Sequence, residues 1–557
     1  MLRAAPPLTL ALFLLPIAAG LAGTALPAFG YLPALGHTEV SLDAWRELMA
    51  TPGLADTLAL TLRAGLLATA LSVVLAIGFC ALAHDRPWMR RCESALAPIL
   101  ATPHAALAIG FAFLILPSGW LVRMVSPDLT GWHTPPQIVT ARDPQGLSFA
   151  GGLVLKETPY LVLMILAASV QMRVRDLTAS ARALGYGPAA AWLFAVLPRL
   201  YAQIRLPVYA VLAFSLSAVD VALILAPGTP PPLAVLAMRW FADYDLALYP
   251  RAAAAALLQL AVVAGTIVLW RLFEIAAARL GRAIILRGWR TPAAEPVAAG
   301  AALGAVAAGV AAFAAIAGMA LWSVAAGWRF PDALPDALTL DVWIRHLPEA
   351  GRPIEATLAA GAAATVIALV LALACLENEQ RAALRPGTGT LWLLYLPLLV
   401  PQIAFLFGVQ VVLVQTGLDG TLAAVIWAHL LFVLPYVFLS LADPYRALDP
   451  RFARSAAALG AGRVRIFVRI KLPMLAKPIL IAAAIGFAVS VGQYLPTLFA
   501  GAGRVATLTT EAVTLAAGAD RRVLGVYAVL QAALPALVYG LALGLPRLMF
   551  RNRRGLL

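Results

Sequence analysis

The sequence predicts an all-α polytopic membrane protein of about twelve transmembrane helices, arranged as two parallel sets of six. Three observations predict it. Of the 557 residues, 62% are hydrophobic and only 12% are charged, against about 25% charged in a soluble domain. Long Ala/Leu/Val runs reach the ~20 residues that cross a bilayer as a helix, and they lack the period-two alternation of barrel strands. A series of short motifs also recurs in the same order in the two halves.

The apolar stretches centre on 9–29, 57–83, 95–116, 150–172, 204–226, 252–276, 297–322, 354–376, 389–415, 420–442, 476–500 and 523–547. The first is too long for the apolar part of a secretory leader and is followed by no clean small-residue cleavage site, so it reads as a retained helix. Lys and Arg favour cytoplasmic loops. With the N-terminus inside, the inner loops collect Arg86, Arg90 and Arg91; Arg173, Arg175 and Arg182; Arg279, Arg282, Arg287 and Arg290; and Arg551, Arg553 and Arg554. Both termini are therefore expected in the cytoplasm. The net charge of +14 follows this topology and calls for no nucleic acid. Cys80, Cys92 and Cys375 lie at or near cytoplasmic helix ends and imply neither a disulfide framework nor a zinc site. The six histidines have no ligand spacing, and His84 and His429 read as structural. No metal site is expected.

The repeat is explicit in the residues. Thr61-Leu62-Arg63-Ala64-Gly65 matches Thr357-Leu358-Ala359-Ala360-Gly361, and Pro103 with Gly110 matches Pro401 with Gly408. Further on, Pro159-Tyr160 matches Pro435-Tyr436, Gly185 matches Gly460, and Phe214 with Ser217 matches Phe487 with Ser490. The offset falls once, which puts an insertion in the outer loop 117–150 of the first half. The expected organisation is a first repeat over 1–276, a basic cytoplasmic linker over 277–296, and a second repeat over 297–557. Six spans per half give both halves the same orientation, unlike the inverted repeats of many secondary transporters.

The most informative repeat is a polar loop. Residues 182–198 read RALGYGPAAAWLFAVLP and residues 457–473 read AALGAGRVRIFVRIKLP. Each predicts a helix, a turn at Gly185 or Gly460 where glycine's backbone freedom is useful, and a second short helix ended by Leu197-Pro198 or Leu472-Pro473. Gly187 and Gly462 precede those short helices, and Pro188 suits a first helical turn. In the second copy Val464, Phe467 and Val468 share one face, flanked by Arg463, Arg465, Arg469 and Lys471. The first copy offers Trp192, Leu193 and Phe194 with less charge. A single such loop reads as an interfacial amphipathic segment; two copies at matched places argue for a two-point docking surface.

This pattern resembles the EAA loop of the permease subunits of binding-protein-dependent type I ABC importers, and is most similar to the fused permeases of the ferric-iron and thiamine group. The resemblance spans essentially the whole chain and implies the type I importer permease fold in a bacterial cytoplasmic (inner) membrane. It implies that each loop forms a coupling helix on a cytoplasmic ATPase subunit, two copies in all, with a soluble periplasmic or extracellular substrate-binding protein outside. The implied ATPase contacts are Gly185, Gly187, Trp192, Leu197, Pro198, Gly460, Gly462, Phe467, Leu472 and Pro473. Ala179 and Arg454 stand where the family usually has the glutamate of its motif. The chain has no Gly-x4-Gly-Lys-Ser/Thr phosphate loop. ATP therefore belongs to partner subunits, no cofactor is expected here, and the chain is expected not to be an enzyme.

Polar residues within spans are costly and mark pathways. Ser215, Ser217 and Asp220 cluster in the fifth span and Ser490, Gln493 and Tyr494 in the eleventh, with Asp220 and Gln493 at equivalent positions. The resemblance places Ser217, Asp220, Ser490, Gln493 and Tyr494 along the translocation path, where an acidic group suits a cation such as ferric iron or thiamine. Pairing of Asp220 with Arg63, or capping of a helix end, stays open. Glu157 reads as a boundary residue, and Trp120, Trp132 and Trp240 as an interfacial belt. Loop 117–150 either meets the binding protein or is plain surface. The alternative, a major-facilitator-type secondary transporter, would carry a basic signature after the second span, where this chain has His84-Asp85-Arg86-Pro87 with Arg90 and Arg91. A membrane-embedded enzyme would want paired carboxylates or histidines inside spans, and the spans hold no such pair.

Overall fold

Apolar runs with no internal polar partner for their backbone become long helices, because a helix satisfies every amide within itself. The structure, a computed structural model, describes residues 2–549 apart from 37, 85, 88, 385 and 386. Asp85, Arg551, Arg553, Arg554 and the side chains of Arg90 and Arg91 lie outside the described residues. Among the described residues, ten helices are long and apolar enough to cross a membrane, and two bent pairs raise the number to twelve. One two-stranded antiparallel ribbon pairs Ala325–Gly327 with Ala337–Leu338.

The helices run in two series. The first comprises α1 (Ala5–Ala28), α2 (Leu54–Ala83), α3 (Met89–Ala101), α4 (His104–Ile115), α5 (Leu147–Val170), α6 (Val174–Ala183), α7 (Pro188–Ala195), α8 (Leu197–Ser217), α9 (Asp220–Leu225), α10 (Leu233–Phe241) and α11 (Tyr249–Leu286). The second comprises α12 (Ala294–Ser323), α13 (Gly351–Arg381), α14 (Thr388–Leu399), α15 (Gln402–Gln415), α16 (Leu422–Arg446), α17 (Pro450–Ala458), α18 (Arg463–Ile466), α19 (Ala476–Val491), α20 (Leu495–Gly501), α21 (Leu508–Leu515) and α22 (Arg521–Met549). Between α18 and α19 the chain continues through a π-helical turn, Phe467–Lys471, and Leu472–Met474.

Several expected spans are broken rather than straight. Pro103 and Pro401 cap α4 and α15 in extended conformation, with ψ of 153° and 130°. Proline disfavours helix in the residue before it and supplies no amide, so the expected single spans 95–116 and 389–415 divide there. The axes of the α14–α15 pair bend by 90°. The expected spans 204–226 and 476–500 likewise break before α9 and α20. The expected linker 277–296 is also corrected: α11 stays helical to Leu286 and α12 starts at Ala294, leaving 287–293 as the connector. Gly281 does not stop the helix, whereas Gly288, at φ +70°, turns the chain after it.

The two series interlock through their first helices. α1 packs chiefly on α15, then on α11 of its own series and on α13, while α12 packs on α2 and α4 and on α22 of its own series. Both crossings depend on missing side chains. A Cβ at Gly408 would strike the carbonyl of Gly20, and a Cβ at Gly110 would strike that of Ala315. Small residues of this kind are what lets helix backbones approach inside a bilayer. Buried hydrogen bonds repeat too. Thr61 Oγ1 accepts from the amide of Leu233 at 2.9 Å, and Thr357 Oγ1 accepts from that of Leu508 at 2.9 Å. One apolar core runs through both series, from Ile17 and Ala108 to Phe405 and Leu495.

Candidate functional site

Both repeated loops lie at the same end of the bundle. The α1 N-terminus meets α13 there, Thr9 Oγ1 lying 3.2 Å from Cys375 Sγ. At the opposite end the start of α11 pairs with the segment after α1, Arg251 Nη2 to Glu47 Oε2 at 3.0 Å. α11 therefore finishes at the same end as α13, and its connector touches the first loop, where the Arg290 guanidinium lies 4.8 Å over the Tyr186 ring.

The loop turns are the same motif. Gly185 has φ +88° and Gly460 φ +80°. The Gly185 amide donates to Arg182 O at 2.9 Å and the Tyr186 amide to Ala181 O at 3.4 Å. In the second loop the Gly460 amide donates to Ala457 O at 3.0 Å and the Ala461 amide to Ala456 O at 3.0 Å. This crossed pair of bonds closes a helix C-terminus around a left-handed residue. Leu184 and Leu459, just before the glycines, are exposed.

Beyond the turns the loops diverge. In the second, Val464 and Val468 stand out from the surface, 74% and 51% exposed, with Phe467, Leu472 and Pro473 half-buried. Arg463, Arg465 and Arg469 flank this ridge and are exposed, whereas Lys471 of the expected flank is buried. In the first, Trp192 is corrected from an outward contact to an anchor: it is 1% exposed, packed with Phe79, Leu161 and Val196. An indole on a helix pressed against α2 gains more by leaving water than by facing it. Gly187 and Leu197 are half-buried and Pro198 is exposed. Leu197-Pro198 opens α8 instead of closing the short helix, and the second copy bends 74° after Met474, so Leu472-Pro473 lies inside its bent helix.

Sequence reasoning missed what holds the second loop. Lys471, 5% exposed, places its ammonium 2.6 Å from Glu377 Oε2 and 2.6 Å from Gln380 Oε1. Glu377, 3% exposed, also accepts from Arg381 Nε at 2.6 Å and from the Tyr445 hydroxyl. A charge at the end of α13 was the available signal; its partner lies 94 residues away.

Within the bundle, Asp220 is buried at the start of α9 and lies within electrostatic reach of His104. Arg63 does not pair with it, because that guanidinium is taken by the carbonyls of Gln145, at 2.8 Å, and Pro144, at 3.3 Å. Tyr494, from the second series, lies within reach of Asp220. Gln493 donates to Val489 O at 3.2 Å, and its Oε1 is buried without a partner. Ser217 bonds its own helix at Ala213 O, 2.6 Å. Ser490 and Thr497 hold buried His429 at 2.7 and 2.8 Å, a satisfied structural histidine. Glu157 is corrected from boundary residue to interior hydrogen-bonded group: 5% exposed, it sits 3.1 Å from His104 Nε2. Its neighbour Lys156 caps the carbonyl end of α3 at Ile99, Leu100 and Thr102. The result is an acidic, tyrosine-bearing layer, with His104, Glu157 and Asp220 from one series and Gln493 and Tyr494 from the other.

The outer loop 117–150 is folded onto its own chain. Arg123 is buried, bonding the carbonyls of Trp328, Arg329 and Asp332 at 3.2, 2.5 and 3.2 Å. Trp120 donates to Ala333 O at 3.1 Å. Asp143 caps α5, accepting from the amides of Leu147 and Ser148 at 2.8 Å and from the Ser148 hydroxyl at 2.6 Å. Burial pushes the Asp143 carboxyl up, but the Ser148 and Leu147 hydrogen bonds outweigh it and hold it below its usual value. A depressed carboxyl stabilises the fold above its unfolded value of ~4, and that contribution is lost as pH falls through the folded value. Asp143→Asn is therefore expected to cost about 1 kcal/mol at neutral pH, and the gap in melting temperature between variant and wild type should close towards pH 3. An equal gap at both pH values would refute the cap.

A bundle of ten to twelve candidate spans, with paired glycine-turned loops at one end and a polar seam inside, is the architecture of a transport permease. The family of binding-protein-dependent transport system inner membrane components matches residues 388–550, and the chain belongs to this family of ABC transporter permeases. It is 31% identical over 522 residues to the inner membrane ABC transporter permease protein YnjC of Escherichia coli (strain K12), covering 93% of each chain. The protein is a multi-pass membrane component of an import system, not a secondary transporter, and such systems work with an ATPase and a substrate-binding protein.

Proposed function

We propose that the chain is a fused permease of two parallel repeats, 1–276 and 297–557, which forms the whole substrate pathway by itself. The interlocking of α1 and α12, the matched Thr61 and Thr357 hydrogen bonds and the matched glycine turns support a duplication. The two loops act as coupling helices for two copies of a separate ATPase, which places both termini and the 287–293 connector in the cytoplasm. A soluble binding protein delivers substrate at the other end. The observation that carries this reading is the pair of identical glycine turns, at φ +88° and +80°, at one end of the bundle.

The cargo reading is a cation, of the ferric-iron or thiamine kind. Its support is Asp220, buried within reach of Tyr494, a carboxylate whose burial is costly unless a positive group visits it.

The test is co-purification with an ATPase encoded beside the chain. Gly460→Val forces a β-branched residue into a left-handed turn. It is expected to leave insertion intact while uptake of the cognate binding protein's ligand falls more than tenfold. Normal uptake by that variant would refute coupling through this loop. Asp220→Asn and Glu157→Gln should lower the same uptake with ATPase binding unchanged, and undiminished uptake in both would exclude a cation path here.

A further inference from the structure

The two loops are not held alike. The connector that joins the series reaches back onto the first loop only. Glu295, in the first turn of α12, places its carboxylate at the N-terminus of α7, where Oε1 accepts from the amides of Ala189 and Ala190 at 3.0 and 3.2 Å and Oε2 from Ala189 at 3.2 Å. Those amides have no partner within α7, and the position favours a negative charge. Pro188, at the first helical position, has no amide to satisfy, so one carboxylate serves the two open donors that follow it.

The neighbouring residues make room for this contact. A Cβ at Gly187 would collide with the Glu295 carboxylate, so the glycine there is a clearance for the connector. Tyr186 is sandwiched, with Arg290 4.8 Å over its ring and Phe194 5.8 Å from it. Between Arg290 and Glu295 the chain turns at Thr291 with φ +44°, a conformation that a β-branched residue adopts only when its surroundings impose it. Among the described residues the second loop has no counterpart to this cap, and is held instead at its far end, where Lys471 meets Glu377. An added Cβ at Gly460 or Gly462 meets nothing within 4 Å.

We propose that the connector and the first turn of α12 form an intramolecular clamp, in which Glu295 caps α7 and Arg290 covers Tyr186, so that this chain itself sets the first loop in position for its partner. Glu295 and Arg290 are positioning residues for coupling, whereas the second loop is tied to its own bundle through Lys471 and Glu377. The consequence for coupling rests on the ATPase-docking reading above; the clamp itself does not.

The test uses the full chain in lipid nanodiscs, alone and with its ATPase. In Glu295→Gln and Glu295→Ala, hydrogen exchange at the Ala189 and Ala190 amides is expected to rise about fivefold to tenfold, with the 463–466 amides unchanged. Arg290→Ala should raise exchange at Tyr186. In the complex, the Glu295 variants should lower ATP turnover severalfold while the melting temperature of the chain stays near wild type. Unchanged exchange at Ala189 and Ala190, or an equal rise in both loops, overturns the clamp. Faster exchange with unaltered ATP turnover overturns the positioning role. If the wild-type chain holds no ATPase, the docking reading falls instead, and exchange in the chain alone still decides the clamp.

Discussion

Glu377→Ala is expected to cost the fold about 3–5 kcal/mol and to free the second loop from the bundle. The carboxylate is 3% exposed and answers three donors at once: the Lys471 ammonium at 2.6 Å, Arg381 Nε at 2.6 Å and the Tyr445 hydroxyl. Removing it leaves a buried ammonium with Gln380 Oε1 and the face of Tyr445, whose ring centre is 5.8 Å away. One amide oxygen and a ring do not replace a full counter-charge in a dry site. Lys471 ends the π-helical turn that carries Phe467, so its release loosens the surface on which Val464 and Val468 stand. The melting temperature of the purified chain checks the first part, and hydrogen exchange over 463–474 checks the second. The double variant Glu377→Gln, Lys471→Met removes both charges and should recover much of the loss, because an absent pair costs less than a broken one. A double variant as unstable as Glu377→Ala would show that volume or hydrogen bonding, not the unpaired charge, sets the cost.

The same residues show how far sequence carries. Helix number, the paired loops and their glycines were legible because each is a local pattern: an apolar run, a glycine two residues from another, a Leu-Pro. Glu157 reads in the sequence as a boundary residue because its partner, His104, lies 53 positions away, and neither residue announces the other. Trp192 and Phe467 look alike in a list of amphipathic positions. Only the pressing of α7 against α2 buries one, while the π-turn leaves the other half outside. The connector was read as linker from its glycine, proline and arginines, yet α11 keeps helical through Gly281, and about 38 residues at 1.5 Å each make it some 57 Å long, well beyond the ~30 Å apolar core. The interlocking of α1 and α12 was not legible. Inside a bilayer the partner of an apolar helix is chosen by close packing rather than hydrophobicity, and its only trace is a scatter of small residues.

That packing choice is itself testable. Gly20→Leu and Gly408→Leu are each expected to destabilise the protein by 1–3 kcal/mol or more, about the cost of overpacking a fitted core, and to peel α1 from α15. The obstacle in both cases is backbone. A Cβ at position 20 meets the Phe405 carbonyl and one at 408 meets the Gly20 carbonyl, and neither can swing aside as a side chain would. Gly23 faces the Gly408 backbone as well, so the helix cannot escape by sliding one turn. Gly300→Ala is the control: it lies in the interior of α12 with nothing within 4 Å of an added Cβ. That variant should be neutral or gain up to about 1 kcal/mol from helix propensity. The distinguishing readout is where protection is lost. Because α1 belongs to the first series and rests on the second, Gly408→Leu should speed proteolysis in 29–42 and exchange across 5–28, while α2 and α5 stay protected. If instead protection falls evenly across the first series, the α15 face is not the main support of α1, and the interlocked arrangement of the two series is wrong.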